Sequence, residues 1–204
     1  MINPANIIGH LRTVTRHRNA VMANCFRAGI PFRGLVHDLS KFSPTEFIPG
    51  ALYYEQGKRS PNEHEREIKG YSDAWVHHKG RNPHHWEYWY DVNPVTHRYE
   101  PVPMPADALK ESFCDRVAAS KIYRGKDYKD GDALAYFESK RKMESRMHPC
   151  TACILEKWLR MLAEEGEEKT FAYIRKIRDF KCHPEVCPKV SAWRELQDRR
   201  NAAE

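Results

Sequence analysis

Apolar residues recur at helical spacing along most of this chain, and no segment alternates apolar and polar residues as a half-buried strand does. The first helix is predicted over residues 4–27. Within it Ile7, Leu11 and Val21 fall near one face, and Gly29 follows its end. The pattern predicts an all-α fold.

Further helices begin at recognisable signals. Ser43 and Pro44 are typical of an N-cap followed by the first helical position, and Glu46 supplies an acidic residue in the first turn. The residues after Gly29 form only a short apolar run, which ends at His37 and Asp38. Other helices are predicted over 63–78, 84–90 and 106–123 and from about residues 133, 151, 168 and 189.

Composition limits the class of protein. The chain has 204 residues, enough for one core or two small ones, and its aromatic content of 11% argues against disorder. No apolar run approaches the roughly 20 residues that span a bilayer, and the N-terminal segment lacks an apolar stretch of signal-peptide length. We therefore expect a cytoplasmic protein without a membrane partner.

The net charge of +6 indicates either simple solubility or an anionic ligand. Lys and Arg are interleaved with Asp and Glu along the chain rather than gathered in one block. This distribution favours a small phosphorylated substrate over a nucleic acid, which remains an alternative.

The six cysteines raise the question of a zinc site. Cys150 and Cys153 form a C-x-x-C pair, and Cys182 and Cys187 follow later. Four thiolates can bind structural zinc, but the first pair begins an amphipathic helix and the second pair has unusual spacing. Thiols that bind no metal, and that stay reduced in a cytosolic protein, are the preferred interpretation.

Histidines carry the strongest functional signal. Eight of the 11 histidines precede Tyr90, and four of them flank a turn as the pairs His77-His78 and His84-His85. Neutral imidazole is a common ligand for zinc, iron and manganese. Two pairs that meet at a turn can point imidazoles at one ion.

A second element is the dipeptide His37-Asp38, which offers mixed nitrogen and oxygen ligands. If the pair lies on a helix, its side chains point about 100° apart and reach one ion only along that edge. His17 is the preferred ligand from the first helix, and His10, two turns earlier on the same face, is the runner-up.

Asp115 is a further candidate ligand, because it stands in an otherwise apolar helix. A carboxylate in such a context needs a partner to offset its desolvation. A metal ion would provide one, and Arg116 or Arg124 is the alternative.

The order His17, then His37-Asp38 followed by Leu-Ser-Lys, then a late helical Asp115, resembles the HD superfamily of metal-dependent phosphohydrolases. The phrases HDLSKFSPTEF and HHKGRNPHHWEYW resemble a bacterial and phage subfamily of HD-like proteins. The resemblance covers about residues 13–125. No GYP motif follows, so a cyclic-dinucleotide phosphodiesterase of that type is not supported.

The resemblance implies an HD-domain-like helical bundle over residues 1–130, with additional C-terminal helices over 131–204 that pack on it in the same domain. It also implies one or two divalent ions, with Mn, Fe, Zn, Co and Ni as candidates. The implied metal ligands are His17, His37, Asp38, His78, His85 and Asp115. The implied catalytic residues are Asp38, Lys41, His84 and Glu87, and the implied substrate-binding residues are Lys41, Lys79, Arg81 and Asn82.

The function that this resemblance implies is hydrolysis of a phosphomonoester or phosphodiester, with nucleotides among the candidates, by attack of a metal-bound hydroxide. Two alternatives stay open. HD-like proteins that hold two irons can act as oxygenases on small organic substrates, and a metal-stabilised binding protein would have no catalytic activity.

Overall fold

The computed structural model describes residues 3–140 and 146–179, together with residue 195. Its helices are α1 (Pro4–Arg27), α2 (Pro31–Val36), α3 (Pro44–Leu52), α4 (Pro61–Lys69), α5 (Asp73–Lys79), α6 (Ala106–Arg124), α7 (Asp132–Ser139) and α8 (Pro149–Lys176). Short 3-10 helices cover Leu39–Phe42, Trp86–Tyr88 and Gly125–Asp127. Strands β1 (Tyr90–Val92) and β2 (Tyr99–Pro101) pair antiparallel, with Tyr90 opposite Pro101. The all-α prediction is confirmed.

Proline marks the first turn of most of these helices. Its fixed φ suits that position, and its missing N–H would have no partner there in any case. At α1 the Asn3 side chain also accepts a hydrogen bond from the Ala5 backbone N–H at 2.9 Å. The helices that start in this way begin at Pro4, Pro31, Pro44, Pro61 and Pro149.

Two predicted helices were wrong in detail. The segment 63–78 is divided into α4 and α5, because Gly70 adopts a φ of 82° and Ser72 caps the second helix through the Trp75 N–H. The segment 84–90 contains only a single 3-10 turn before β1. The three-residue strands are too short to show an alternating pattern in the sequence.

The helix starts predicted near residues 151 and 168 correspond to two parts of α8. Gly166, with φ 81° and ψ 171°, interrupts helical geometry between them. The helix predicted from about residue 189 lies outside the described residues, apart from helical residue 195.

The apolar core lies between α6 and α8. Phe113 on α6 packs edge-on against Trp158 at 6.0 Å and against Phe171 at 5.6 Å between ring centroids. Leu109 and Leu159 are fully buried in the same core. Among the described helices, none combines the length and the apolar character that crossing a membrane requires.

Helix α1 packs on α6, α2 and α3, and α3 packs on α5. The predicted apolar face of α1 is only partly buried, because Ile7 and Leu11 are exposed. The inward face instead combines Val14 and Val21 with the imidazole of His10, which is buried. Polar side chains therefore enter the space between these helices.

Candidate metal centre

The His37-Asp38 pair lies at a sharp turn between α2 and the 3-10 helix Leu39–Phe42. His37 ends α2, and Asp38 adopts the left-handed conformation with φ 53° and ψ 26°. The assumption that both residues lie on one helix was therefore wrong. Aspartate tolerates this region better than most residues, and such backbone conformations are enriched at functional sites. His37 and Asp38 are both buried.

Three imidazoles surround the Asp38 carboxylate. Asp38 Oδ1 lies 3.3 Å from His78 Nε2 and 3.4 Å from His84 Nε2, and Asp38 Oδ2 lies 3.3 Å from His37 Nε2. The two carboxylate oxygens thus point to different imidazoles. This arrangement suits a carboxylate that bridges two ions.

The buried atoms of this cluster are poorly satisfied by the protein itself. The Nε2 atoms of His37, His78, His84 and His85, and Asp38 Oδ1, have no hydrogen-bond partner among the described residues. Buried polar atoms are rarely left in this state, because desolvation without a partner is costly. An ion in contact with these atoms would remove the cost.

The spacing of these atoms also fits an ion. Ligands about 2.1 Å from a tetrahedral ion lie about 3.4 Å from one another. The separations around Asp38 Oδ1 match this value. Three overlapping groups have ligand atoms within 4.8 Å of one another: Asp38, His78, His84 and His85; His17, His37 and Asp38; and His37, His84 and Asp115.

Two glutamates contact the Nδ1 atoms of the imidazoles, on the side of each ring away from its Nε2 atom. Glu46 contacts His77 Nδ1 and His78 Nδ1 at 2.7 Å each, and Glu111 contacts His37 Nδ1 at 2.9 Å. The Nδ1 atom of His84 also lies 3.2 Å from Glu111. A carboxylate that accepts a hydrogen bond from Nδ1–H leaves the Nε2 lone pair free to bind a metal.

Sequence reasoning missed both glutamates. Glu46 was interpreted as part of the N-terminal cap of α3, but Ser43 makes no side-chain cap hydrogen bond there. The spacing of Glu111 and Asp115, one helical turn apart on α6, was a usable signal. It places both carboxylates on the helix face that approaches the histidines.

The centre is not fully enclosed by the described residues. The side chains of His17 and Asp115 are 12% and 19% exposed, and that of Lys41 is 29% exposed, whereas His37 and Asp38 are almost completely enclosed. His17 Nε2 lies 2.8 Å from Asp115 Oδ1. A solvent-borne ligand would therefore approach past His17, Asp115 and Lys41.

The partner of Asp115 is His17, not an arginine. Arg124 instead lies 3.6 Å from Asp132, and the Arg116 guanidinium lies over the Phe137 ring. The alternative explanation for a carboxylate in an apolar helix was therefore wrong.

His10, the runner-up for His17, belongs to none of the three groups found among the described residues. Its ring packs against Phe47 and Tyr54, close to Gly50. Burial, together with the positive charge of Lys41, lowers the pKa of His10 to about 4. His10 therefore packs as a neutral side chain beside the centre.

Electrostatics in the centre favour a cation. Burial opposes charge on His37, but Asp38, Glu111 and Asp115 outweigh it and raise the pKa of His37 to about 10. Despite burial, hydrogen bonds from His37 and His84 lower the pKa of Glu111 to about 2. The carboxylates thus stay ionised and attract positive charge.

Two deeper imidazoles behave differently. Burial is the main cause that lowers the pKa of His78, and burial together with the neighbouring His84 holds the pKa of His85 well below its usual value. Both rings are therefore neutral at physiological pH, which is the form that binds metals.

The remaining predicted residues divide into two sets. Lys41 Nζ lies 2.6 Å from Asp38 Oδ2, and the Asn82 amide donates to Ser40 Oγ at 2.9 Å and to the His78 carbonyl oxygen at 2.7 Å. Lys41 and Asn82 therefore contact the cluster. Of the other predicted residues, Lys79 ends α5, Arg81 is exposed, and Glu87 lies in the 3-10 helix Trp86–Tyr88.

The cysteine prediction is also corrected. Cys150 is disulfide-bonded and Cys153 is not, so Cys150 is not available as a zinc thiolate. Cys182 and Cys187 lie outside the described residues. The expectation that all cysteines stay reduced is wrong for Cys150.

Fold and site together define an all-α protein with a buried histidine–carboxylate cluster that fits divalent ions. Residues 6–161 match the model of a protein family described as "Family of unknown function (DUF5662)", and the chain belongs to this family. The matched range includes every residue of the cluster. Neither a curated protein nor a solved structure matches the chain.

Proposed function

We propose that this protein is a divalent-metal-dependent hydrolase of phosphomonoesters or phosphodiesters, with nucleotides among its candidate substrates. One observation carries the proposal. The Nε2 atoms of His78 and His84 converge with Asp38 Oδ1 in a buried space at the separations that an ion requires, and these three atoms lack other hydrogen-bond partners among the described residues. The resemblance of the same residues to the HD superfamily supports the choice of reaction.

The donor set indicates catalytic rather than purely structural ions. Structural zinc sites are usually closed and rich in thiolates, whereas this centre mixes imidazole with carboxylate and opens toward solvent at His17 and Asp115. A divalent ion in such a centre supplies Lewis acidity and lowers the pKa of a water that it binds.

The protein's own residues have separable roles in this proposal. Asp38, at the middle of the cluster, would hold an ion with each oxygen, and Glu46 and Glu111 fix the imidazoles. Lys41, at the open side, would pair with a substrate phosphate oxygen in place of its contact with Asp38.

The test is metal analysis followed by an activity panel. Untreated protein is analysed for metal content and then assayed with Mn, Co or Ni for release of phosphate or nucleoside from nucleotides. We expect bound metal and measurable turnover, with both lost in Asp38→Asn.

The matched control is His97→Asn. His97 is an exposed histidine in the turn between β1 and β2, and asparagine tolerates its φ of 56°. This variant should keep both metal and turnover. Absence of turnover across the panel with metal-loaded protein would contradict the proposal.

The second candidate function is that of a diiron oxygenase acting on a small organic substrate. The specific observation in its favour is the imidazole-rich donor set, since nitrogen ligands suit iron as well as zinc. Iron as the native metal, with an oxygen-sensitive absorption spectrum and no phosphatase activity, would favour this function.

A metal-stabilised binding protein is the non-catalytic alternative. Asp38→Ala separates this alternative from an enzyme. Loss of metal and activity with the fold retained indicates an enzyme, whereas complete unfolding indicates that the metal is structural.

A further inference from the structure

The positive charge of this chain is concentrated at its N-terminal end. Residues 1–37 contain five arginines and no Asp, Glu or Lys, which leaves 29 basic and 28 acidic side chains for the rest of the chain. Nearly all of the net charge of +6 therefore belongs to α1 and α2. The even interleaving of charges noted in the sequence begins only at Asp38.

Not all of these arginines are neutralised. Arg27 pairs with Glu167, and Arg33 pairs with Glu111. Arg12 and Arg16 are exposed on the outer face of α1 and form no ion pair with any described residue. The Arg18 guanidinium lies between α1 and α2, where it donates to the Leu35 carbonyl oxygen.

The same two helices also carry exposed apolar side chains. Ile8 and Leu11 are exposed near Arg12 on α1, and Phe32 and Leu35 are exposed on α2, with Phe32 74% accessible. The two helices pack closely, because Gly34 lies against Cys25 and the Met22 backbone. We call the exposed residues Ile8, Leu11, Arg12, Arg16, Phe32 and Leu35 the α1–α2 surface.

We propose that the α1–α2 surface binds anionic lipid bilayers, with its apolar side chains inserted at the headgroup boundary and its arginines against the lipid phosphates. Exposed apolar side chains next to basic residues, without acidic residues among them, have the composition of interfacial membrane-binding helices. The absence of a spanning helix among the described residues concerns transmembrane insertion and not this mode of binding.

Charge and chemistry favour this occupant over two others. A second copy of the chain would bring Arg12 and Arg16 of both copies together, and like charges repel. A nucleic acid would pair with the arginines and could stack a base on Phe32, but it would leave the aliphatic side chains of Ile8, Leu11 and Leu35 without a partner. A lipid surface uses the aliphatic side chains as well as the arginines.

The test is co-sedimentation of the full-length protein with vesicles. Vesicles of phosphatidylcholine alone are compared with vesicles of equal parts phosphatidylcholine and phosphatidylglycerol, at low and at high salt. We expect binding to the anionic vesicles that is on the order of tenfold tighter than to the neutral ones and that weakens as salt is added.

Two double variants separate the contributions. Arg12→Gln with Arg16→Gln should weaken binding to anionic vesicles about 30-fold, since each of the two arginines near an anionic bilayer contributes about 1 kcal/mol. Phe32→Ser with Leu35→Ser should weaken binding by a similar factor but leave its salt dependence in place, because the arginines remain. Matched controls are Lys58→Gln with Lys169→Gln, and Val95→Ser, at exposed positions outside the surface.

Three outcomes would overturn the proposal. Equal binding to neutral and anionic vesicles, or an equal loss in the controls, would remove the role of this surface. Binding of DNA or RNA that needs Arg12 and Arg16 but not Phe32 and Leu35 would make it a nucleic-acid surface. Self-association that disappears in Phe32→Ser with Leu35→Ser would make it an interface between copies.

Discussion

Helix α6 is shared by two buried regions that are stabilised in opposite ways. On one face, Glu111 and Asp115 approach the histidines of the candidate metal centre. On another, Leu109, Phe113 and Val117 pack into the apolar core with α8. The side chains of the apolar core are fully buried, whereas the candidate metal centre is partly exposed at His17, Asp115 and Lys41. The candidate metal centre contains buried imidazole nitrogens and a carboxylate oxygen that have no hydrogen-bond partner among the described residues, and a bound ion would contact them.

The two regions differ in what they contribute to the free energy of unfolding. The apolar core is stabilised by removal of hydrocarbon from water and by close packing, and neither depends on pH or on a ligand. In the candidate metal centre, burial of the charged groups costs desolvation free energy, and a bound ion would offset that cost. The two regions should therefore respond differently to metal removal, truncation and acid.

Metal removal should have the largest effect. At a free ion concentration about 1,000 times the dissociation constant, binding stabilises the folded state by about 4 kcal/mol. Urea unfolding of chelated and metal-loaded protein measures this difference directly. Identical midpoints for the two samples would mean that the centre does not bind the ion in the folded state.

Truncation in the apolar core should have the next largest effect. Leu159→Ala removes a fully buried side chain and should lower the free energy of unfolding by about 3 kcal/mol, with metal stoichiometry unchanged. The control Val95→Ala, at a highly exposed residue, should change it by less than about 0.5 kcal/mol. Loss of bound metal from folded Leu159→Ala would show that the two regions are coupled.

Removal of a supporting carboxylate should weaken metal binding without disturbing the apolar core. Glu111→Gln loses the ionised acceptor of His37 Nδ1 and should lower metal affinity about 10- to 100-fold, as measured by isothermal titration calorimetry. The control is Glu167→Gln on α8, which should leave metal affinity unchanged. Glu167 is remote from the candidate ligands in the sequence and belongs to none of the three ligand groups. Equal losses in both variants would argue against a specific role for Glu111.

The smallest effect concerns acid stability outside the centre. Burial raises the pKa of Glu167, but hydrogen bonds from Lys121 and Arg27 outweigh it, so the pKa in the folded protein lies below its usual 4.5. This carboxylate therefore contributes stability above that value, and the contribution is lost as the pH falls through the folded-state pKa. In chelated protein, Glu167→Gln should cost about 1 kcal/mol at neutral pH. Acid titration of unfolding should show the cost shrinking as the pH falls through the folded-state pKa of Glu167. A constant difference at all pH values would contradict this assignment.

Much of the fold could be predicted because its signals are local. Proline at the first helical position indicated the start of α3, and helical periodicity defined α6 to within a residue or two. The break at Gly70 and the short hairpin were missed, because a single glycine and three-residue strands leave little periodic signal.

The candidate site was predicted in kind but not in arrangement. The sequence identified four candidate ligands from different parts of the chain, namely His17, His37, Asp38 and Asp115. The structure brings them together with His78, His84 and His85. The roles of Glu46 and Glu111 were not identified, since each glutamate contacts histidines more than 30 residues away in sequence.

The amino-acid sequence by itself determined which chemical groups are available, namely a surplus of imidazoles, one His-Asp pair and an arginine-rich N-terminal segment without acids. Only the tertiary structure decided that His17 and not His10 faces the ligands, and that Glu46 and Glu111 orient the rings. The physical reason is that helix starts depend on neighbours along the chain, whereas ligand convergence depends on the packing of α1, α3, α5 and α6 against one another.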